Sequence, residues 1–165
     1  MSVSLELTIN GALHRLSVEP HWTLLHVLRG ELGLTGTKEN CLEAECGVCT
    51  VLLDGKAVNS CILLALQCRN RSIVTIEGLI EGVGGDPEHL HPLQQAFLDC
   101  GAVQCGYCIP GMILTAKSFL DECRGRLPSE PEIREALSGT LCRCTGYQKI
   151  VDAVALAARR MGEAP

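Results

Sequence analysis

The chain has 165 residues, 47% of them hydrophobic, with a net charge of −5 and eleven cysteines. That length admits one domain or two small ones, and the apolar content excludes disorder. The acidic balance excludes a nucleic-acid footprint, since Lys and Arg cluster nowhere beyond Arg159-Arg160, a pair that answers the C-terminal dipole of a predicted helix. No apolar run approaches the roughly 18 residues of a membrane span, so direct membrane insertion is not expected.

Leu5 to Ile9 alternates apolar and polar residues, Asn10-Gly11 supplies a two-residue turn, and Leu13 to Val18 alternates again, which predicts a hairpin. Thr23 can cap a short helix through Leu24, Leu25, Val27 and Leu28 that ends near Gly30 or Gly33. Thr50 to Leu53 and Lys56 to Asn59 flank the turn Asp54-Gly55, and Ile73 to Ile76 adds another strand. One helix against about five strands makes a compact α+β unit over residues 1–78. Residues 79–92, with three glycines and two prolines from Gly82 to Pro92, read as a linker. Residues 93–165 read as helical: Leu93 to Leu98, Met112 to Cys123, Pro131 to Leu137 behind Ser129, and Tyr147 to Met161, enough for a small four-helix bundle.

Eight cysteines fall into two groups of four. Cys41, Cys46 and Cys49 stand at C-x4-C-x2-C spacing, followed by Cys61, the plant-type ferredoxin arrangement. Gly47 lies inside the tight turn, where the missing Cβ lets backbone N–H groups approach a cluster. Zinc is the competing reading, but it usually takes two short knuckles, whereas three thiols here crowd one loop. A disulfide framework is disfavoured by the N-terminus, which has no basic region and no long apolar core; this also points to the cytoplasm. The second group is Cys105 and Cys108, directly before one predicted helix, and Cys142 and Cys144, directly before another. Helix N-termini offer free N–H groups and a positive dipole end to an anionic cluster. C-x-C is tight for tetrahedral zinc, and a thioredoxin-like C-x-x-C would need an α/β fold that the pattern lacks, so a second 2Fe-2S site is favoured.

Cys68, Cys100 and Cys123 are left over and read as small buried hydrophobes. The histidines at 14, 21, 26, 89 and 91 show no C-x-H pairing, which leaves a Rieske centre unsupported and suggests surface positions. Asp99, Asp121 and Glu122 read as solvated helix faces. No catalytic triad or carboxylate pair is recognisable: the chain has electron-carrier chemistry and no substrate chemistry.

Thr35-Gly36-Thr37-Lys38, the Cys41/Cys46/Cys49/Cys61 set, Gln104-Cys105-Gly106-Tyr107-Cys108 with Pro110-Gly111, and Leu141-Cys142-Arg143-Cys144-Thr145-Gly146-Tyr147 together resemble the iron-sulfur small subunit of the xanthine oxidase family of molybdenum hydroxylases. The resemblance spans residues 3–160. It implies a β-grasp ferredoxin-like domain followed by a four-helix bundle domain, each with one 2Fe-2S cluster. It further implies a large subunit carrying molybdopterin cofactor and a medium subunit carrying FAD, in a heterotrimer or a dimer of heterotrimers. By the same resemblance, Gln104 and Cys144 face the pterin, and electrons pass from molybdenum through the second cluster and then the first to FAD, or the reverse in a reductase. A stand-alone ferredoxin-like carrier and a zinc-stabilised interaction module are the alternatives. Three positions depart from the family pattern. Asn40 and Ala44 stand where glycine is usual, which predicts a reshaped 41–49 loop, and Ile109 stands where threonine is frequent, which predicts a more negative second centre.

Overall fold

Leu5, Leu7 and Ile9 are buried while their neighbours in β1 (Val3–Ile9) are not, so the period-2 pattern turns one face of the strand inward. Asn10 and Gly11, both at positive φ, make the tight turn into β2 (Ala12–Val18). This computed structural model describes residues 1–79 and 90–162. The expected linker at 79–92 and His89 lie largely outside them.

The remaining strands are β3 (Thr50–Leu53), β4 (Lys56–Asn59) and β5 (Ser72–Val74), and the sheet order is β2-β1-β5-β3-β4. β5 runs parallel to β1 and antiparallel to β3. The last strand is shorter than the expected 73–76, because the chain turns into a helical turn at Ile76–Gly78. Gly78 has no room for a side chain: a Cβ there would stand 2.1 Å from Oδ1 of Asn10, which accepts the Thr75 N–H at 2.9 Å. α1 (Leu24–His26) starts behind Thr23, whose hydroxyl accepts the His26 N–H at 3.2 Å, and continues as a wider turn over Val27–Glu31. With Leu5, Leu7, Ile9, Val51, Leu53 and Ile73, α1 closes a first core on one face of the sheet.

Four helices follow: α2 (Pro92–Asp99), α3 (Ile109–Cys123), α4 (Glu130–Leu137) and α5 (Gln148–Gly162). α3 begins earlier than expected, with Pro110 and Gly111 inside its first turn rather than before it. A proline is tolerated there because the N–H it lacks has no intrahelical partner anyway. The helices and the opposite face of the sheet share a second core, in which Val48 and Leu52 meet Phe97, Met112, Leu114, Ile150 and Val154. α3 is the element that joins the halves. Its Ser118 hydroxyl accepts the Ala57 N–H and donates to the Gly55 carbonyl, each at 3.1 Å, and Glu122 pairs with Lys56.

Several polar assignments change in three dimensions. His91 is buried rather than exposed: its Nδ1 accepts the Leu93 N–H at 3.1 Å and caps α2. Asp99 is no idle surface carboxylate, since Arg160 bonds it at 2.6 Å and ties α5 to α2. Cys68 is fully buried and Cys100 packs against the helical core, whereas Cys123 is half-buried at the end of α3.

Candidate metal centres

The first cysteine group sits in a loop that regular secondary structure cannot supply. Leu42, Ala44 and Gly47 all lie at positive φ, between +61° and +68°. Asn40 does not, so of the two departures from glycine only the alanine takes the left-handed backbone that glycine would favour. A non-glycine residue in this conformation costs about 1–2 kcal/mol. The loop is held from several sides. The Thr50 hydroxyl donates to the Gly47 carbonyl at 2.7 Å, the Ser60 hydroxyl to the Cys49 carbonyl at 2.7 Å, and the Asn59 amide to the Ala44 carbonyl at 3.1 Å.

Cys46, Cys49 and Cys61 are buried and Cys41 is half-buried. Backbone N–H groups of Glu43 and Cys46 aim at the Cys41 sulfur, the Cys46 N–H at 3.4 Å, and they lower that thiol to about 7. Burial drives Cys49, in contact with Cys61, up to about 11. Cys41 thus lies against Cys46, and Cys49 packs with Cys61.

The second group repeats this arrangement. The Cys105 and Cys144 sulfurs are 3.6 Å apart and exposed, while Cys108 pairs with Cys142 deeper in the protein. Burial drives Cys108 up to about 12. For Cys142, burial pushes upward but is outweighed by donors from Thr145, whose N–H stands 3.4 Å and hydroxyl oxygen 3.2 Å from the sulfur. Cys108 is the N-cap of α3, and Cys144 stands four residues before α5.

Pairs of thiols suit a binuclear centre, in which each of two irons takes two protein sulfurs. Zinc usually takes its thiolates from two short knuckles, whereas three thiols of the first group share one loop. The chemistry of the donors also fits, because backbone N–H groups point at sulfurs in both loops.

The two groups are linked directly. The Leu141 N–H donates to the Cys46 carbonyl at 2.9 Å, and the Tyr107 hydroxyl donates to the Glu39 carbonyl. Gln104 is exposed beside Cys105 in the sequence, as are Val103 and Tyr107, and Leu141 is exposed in the other cysteine segment. Two residues of the second loop escaped functional reading in the sequence. Thr145 donates to the Cys142 sulfur, and the Tyr147 hydroxyl accepts the Cys142 N–H at 2.8 Å. The spacing from Cys142 to Thr145, typical of a hydroxyl closing a short turn, was the available signal.

Residues 7–71 match the family described as 2Fe-2S iron-sulfur cluster binding domain, and residues 75–155 match the 2Fe-2S binding domain family. The chain is 49% identical to the nicotinate dehydrogenase small FeS subunit of Eubacterium barkeri, over 96% of both chains. It is 44% identical to the xanthine dehydrogenase iron-sulfur-binding subunit of Escherichia coli O157:H7, over 93% of this chain and 92% of that one. Among solved structures, a chain of quinoline 2-oxidoreductase from Pseudomonas putida 86 superposes with a TM-score of 0.87 at 46% identity, covering 96% of this chain and 97% of that one. With two 2Fe-2S domains in tandem, the chain belongs to the iron-sulfur small subunits of the xanthine oxidase family of molybdenum hydroxylases, which are oxidoreductases.

Proposed function

We propose that this chain relays electrons between the molybdopterin centre of a large subunit and the FAD of a medium subunit. Cys41, Cys46, Cys49 and Cys61 hold the first cluster, within residues 1–78. Cys105, Cys108, Cys142 and Cys144 hold the second, in the four-helix domain of residues 93–165. When bound, each cluster accepts and releases one electron at a time. The protein supplies position, N–H donors to sulfur and exclusion of water.

The carrying observation is the asymmetry of the two groups. Three of the four thiols of the first are buried, whereas Cys105 and Cys144 of the second open to the surface beside exposed Gln104. An outward-facing pair of thiols suits contact with a cofactor on another subunit, with Gln104 and Cys144 facing the pterin. A stand-alone carrier has no use for a pterin-facing surface. Among the described residues no helix is long and apolar enough to cross a membrane, which is compatible with a cytoplasmic heterotrimer, single or doubled.

The test is low-temperature EPR on dithionite-reduced protein, with iron and sulfide measured on the same sample. About four irons per chain and two rhombic signals are expected. Cys61→Ser should remove one signal and Cys144→Ser the other. Zinc in place of iron, or a single signal in the unsubstituted chain, overturns the reading. Co-purification of molybdenum and flavin with the tagged chain tests the partners, and a chain that purifies with neither from its native source points to a free carrier.

A further inference from the structure

Gly111 occupies the third position of α3, at ordinary helical backbone angles, where alanine is the better helix former. Local preference therefore does not account for it. The reason lies across the boundary between the two cysteine groups. A Cβ at 111 would come within 2.7 Å of the Gly47 carbonyl oxygen, 3.2 Å of the Val48 Cα and 3.3 Å of the Val48 carbonyl carbon. All three are backbone atoms, so no rotamer change makes room.

Gly47 is equally confined on its other side. A Cβ there would stand 2.2 Å from the Gly139 carbonyl oxygen and 2.8 Å from the Thr140 Cα. The turn between Cys46 and Cys49 is therefore wedged between two backbone segments. One is the first turn of α3, whose N-cap is Cys108. The other is the stretch through Leu141 into Cys142, bonded to the Cys46 carbonyl at 2.9 Å. Each segment carries one member of the Cys108 and Cys142 pair.

We infer that Gly111 is a positioning residue that sets the separation of the two clusters: its missing Cβ lets the first cysteine loop seat directly on the helix that presents Cys108. The inference rests on the ligand sets proposed above. A methyl group at 111 must lift the loop from the helix or unwind the helix's first turn, and either moves the two centres relative to one another. Neither disturbs the sequence of a ligand.

Two reduced clusters close together split or broaden one another's EPR lines, an interaction that falls steeply with separation. The experiment compares reduced wild-type protein with Gly111→Ala and Gly139→Ala, all as loaded chains. Gly139 lies at the same boundary, but a Cβ on it meets nothing within 4 Å. The expected result is mutual splitting in the wild type, full retention of it in G139A, and partial or complete loss of it in G111A with iron content and both signals preserved. Unchanged splitting in iron-replete G111A overturns the inference, and so does a wild type with two signals and no mutual splitting. Loss of iron from G111A but not from G139A, alongside splitting in the wild type, also supports a loop that cannot seat. A wild type with one signal or no iron instead overturns the ligand assignment itself, so the two failures are distinct.

Discussion

The Tyr147 hydroxyl accepts the backbone N–H of Cys142 at 2.8 Å, and it does so from a residue whose own backbone lies at φ +68°. A bulky side chain in the left-handed region costs on the order of 1–3 kcal/mol and persists only where its surroundings hold it. Here the Tyr147 N–H bonds the Thr145 hydroxyl at 3.2 Å, and that hydroxyl also meets the Cys142 sulfur. Tyrosine, threonine and cysteine thus brace one another. Tyr147→Phe leaves the Cys142 N–H without its acceptor and is expected to cost about 1–3 kcal/mol. Its EPR spectrum should show altered g-values for the second centre alone. A spectrum identical to wild type would mean the hydroxyl plays no part in setting that centre.

Strain in the first loop can be read by glycine substitution. Leu42 is 54% exposed at φ +61°, so Leu42→Gly sheds little packing. Relief of about 1–2 kcal/mol against a glycine entropy cost of about 0.5–1 leaves a net gain of roughly 0.5–1 kcal/mol. Ala44 instead packs against Leu25, Cys49 and Cys61, and the loss of that methyl offsets the relief, so Ala44→Gly should be close to neutral. Thermal unfolding of the iron-loaded chains ranks the two. A larger gain for A44G would place the main strain at Ala44 instead.

Ile109 begins α3 next to Cys108 and is buried in the helical core. Ile109→Thr introduces a hydroxyl donor beside the second centre at the expense of apolar contacts, with a stability cost of about 1–3 kcal/mol. A donor to cluster sulfur favours the more anionic reduced form, so the potential of that centre should rise while the first stays fixed. A redox titration followed by EPR decides, and an unchanged or lower second potential counts against the effect.

Acid stability has a local reporter in the capping box of α4. The Arg126 guanidinium hydrogen-bonded to Glu132, with the Ser129 N–H and hydroxyl, holds that carboxyl at about 2, against an ordinary 4.5. Asp54 and Asp99 are lowered as well, Asp54 by the Ser72 N–H and Arg71, Asp99 by Gln95 and Arg160. A depressed carboxyl stabilises the fold above its unfolded value, and that contribution disappears as pH falls through the folded one. The stability difference between wild type and Glu132→Gln should therefore shrink as pH drops from 4.5 toward 2. Denaturant melts across that window measure it, and a constant difference would show that the carboxylate's charge is not what stabilises the cap.

Much of this was legible in the sequence because the signals are local. Alternation marked β1 and β2, the Asn10-Gly11 and Asp54-Gly55 pairs marked their turns, and Ser129 with Glu132 marked the start of α4. The two cysteine groups stood out by their spacing, and the structure brings the members of each together. What failed to show depends on contacts between distant segments. His91 is an exception, since its cap on the Leu93 N–H is local, but histidine is not among the usual capping residues and so it read as a surface residue. Gly111 falls before the predicted start of α3 at Met112, because the Gly47 backbone that requires it lies 64 positions earlier. The left-handed Leu42 had no signature at all, since leucine is a residue that local preference would keep out of that conformation.

β5 lies at the centre of the sheet, between β1 and β3, although it is the last of the five strands in chain order. A growing chain can therefore close each flanking hairpin as it emerges, but cannot join them until Ser72–Val74 is made. Cys41 to Cys61 emerge before that strand does. The backbone against which their loop seats, at Gly111 and Leu141, emerges later still. The first cysteine loop, though nearer the start of the chain, thus cannot seat until Leu141 is made, by which point the ribosome has already delivered Cys105 and Cys108 of the second group.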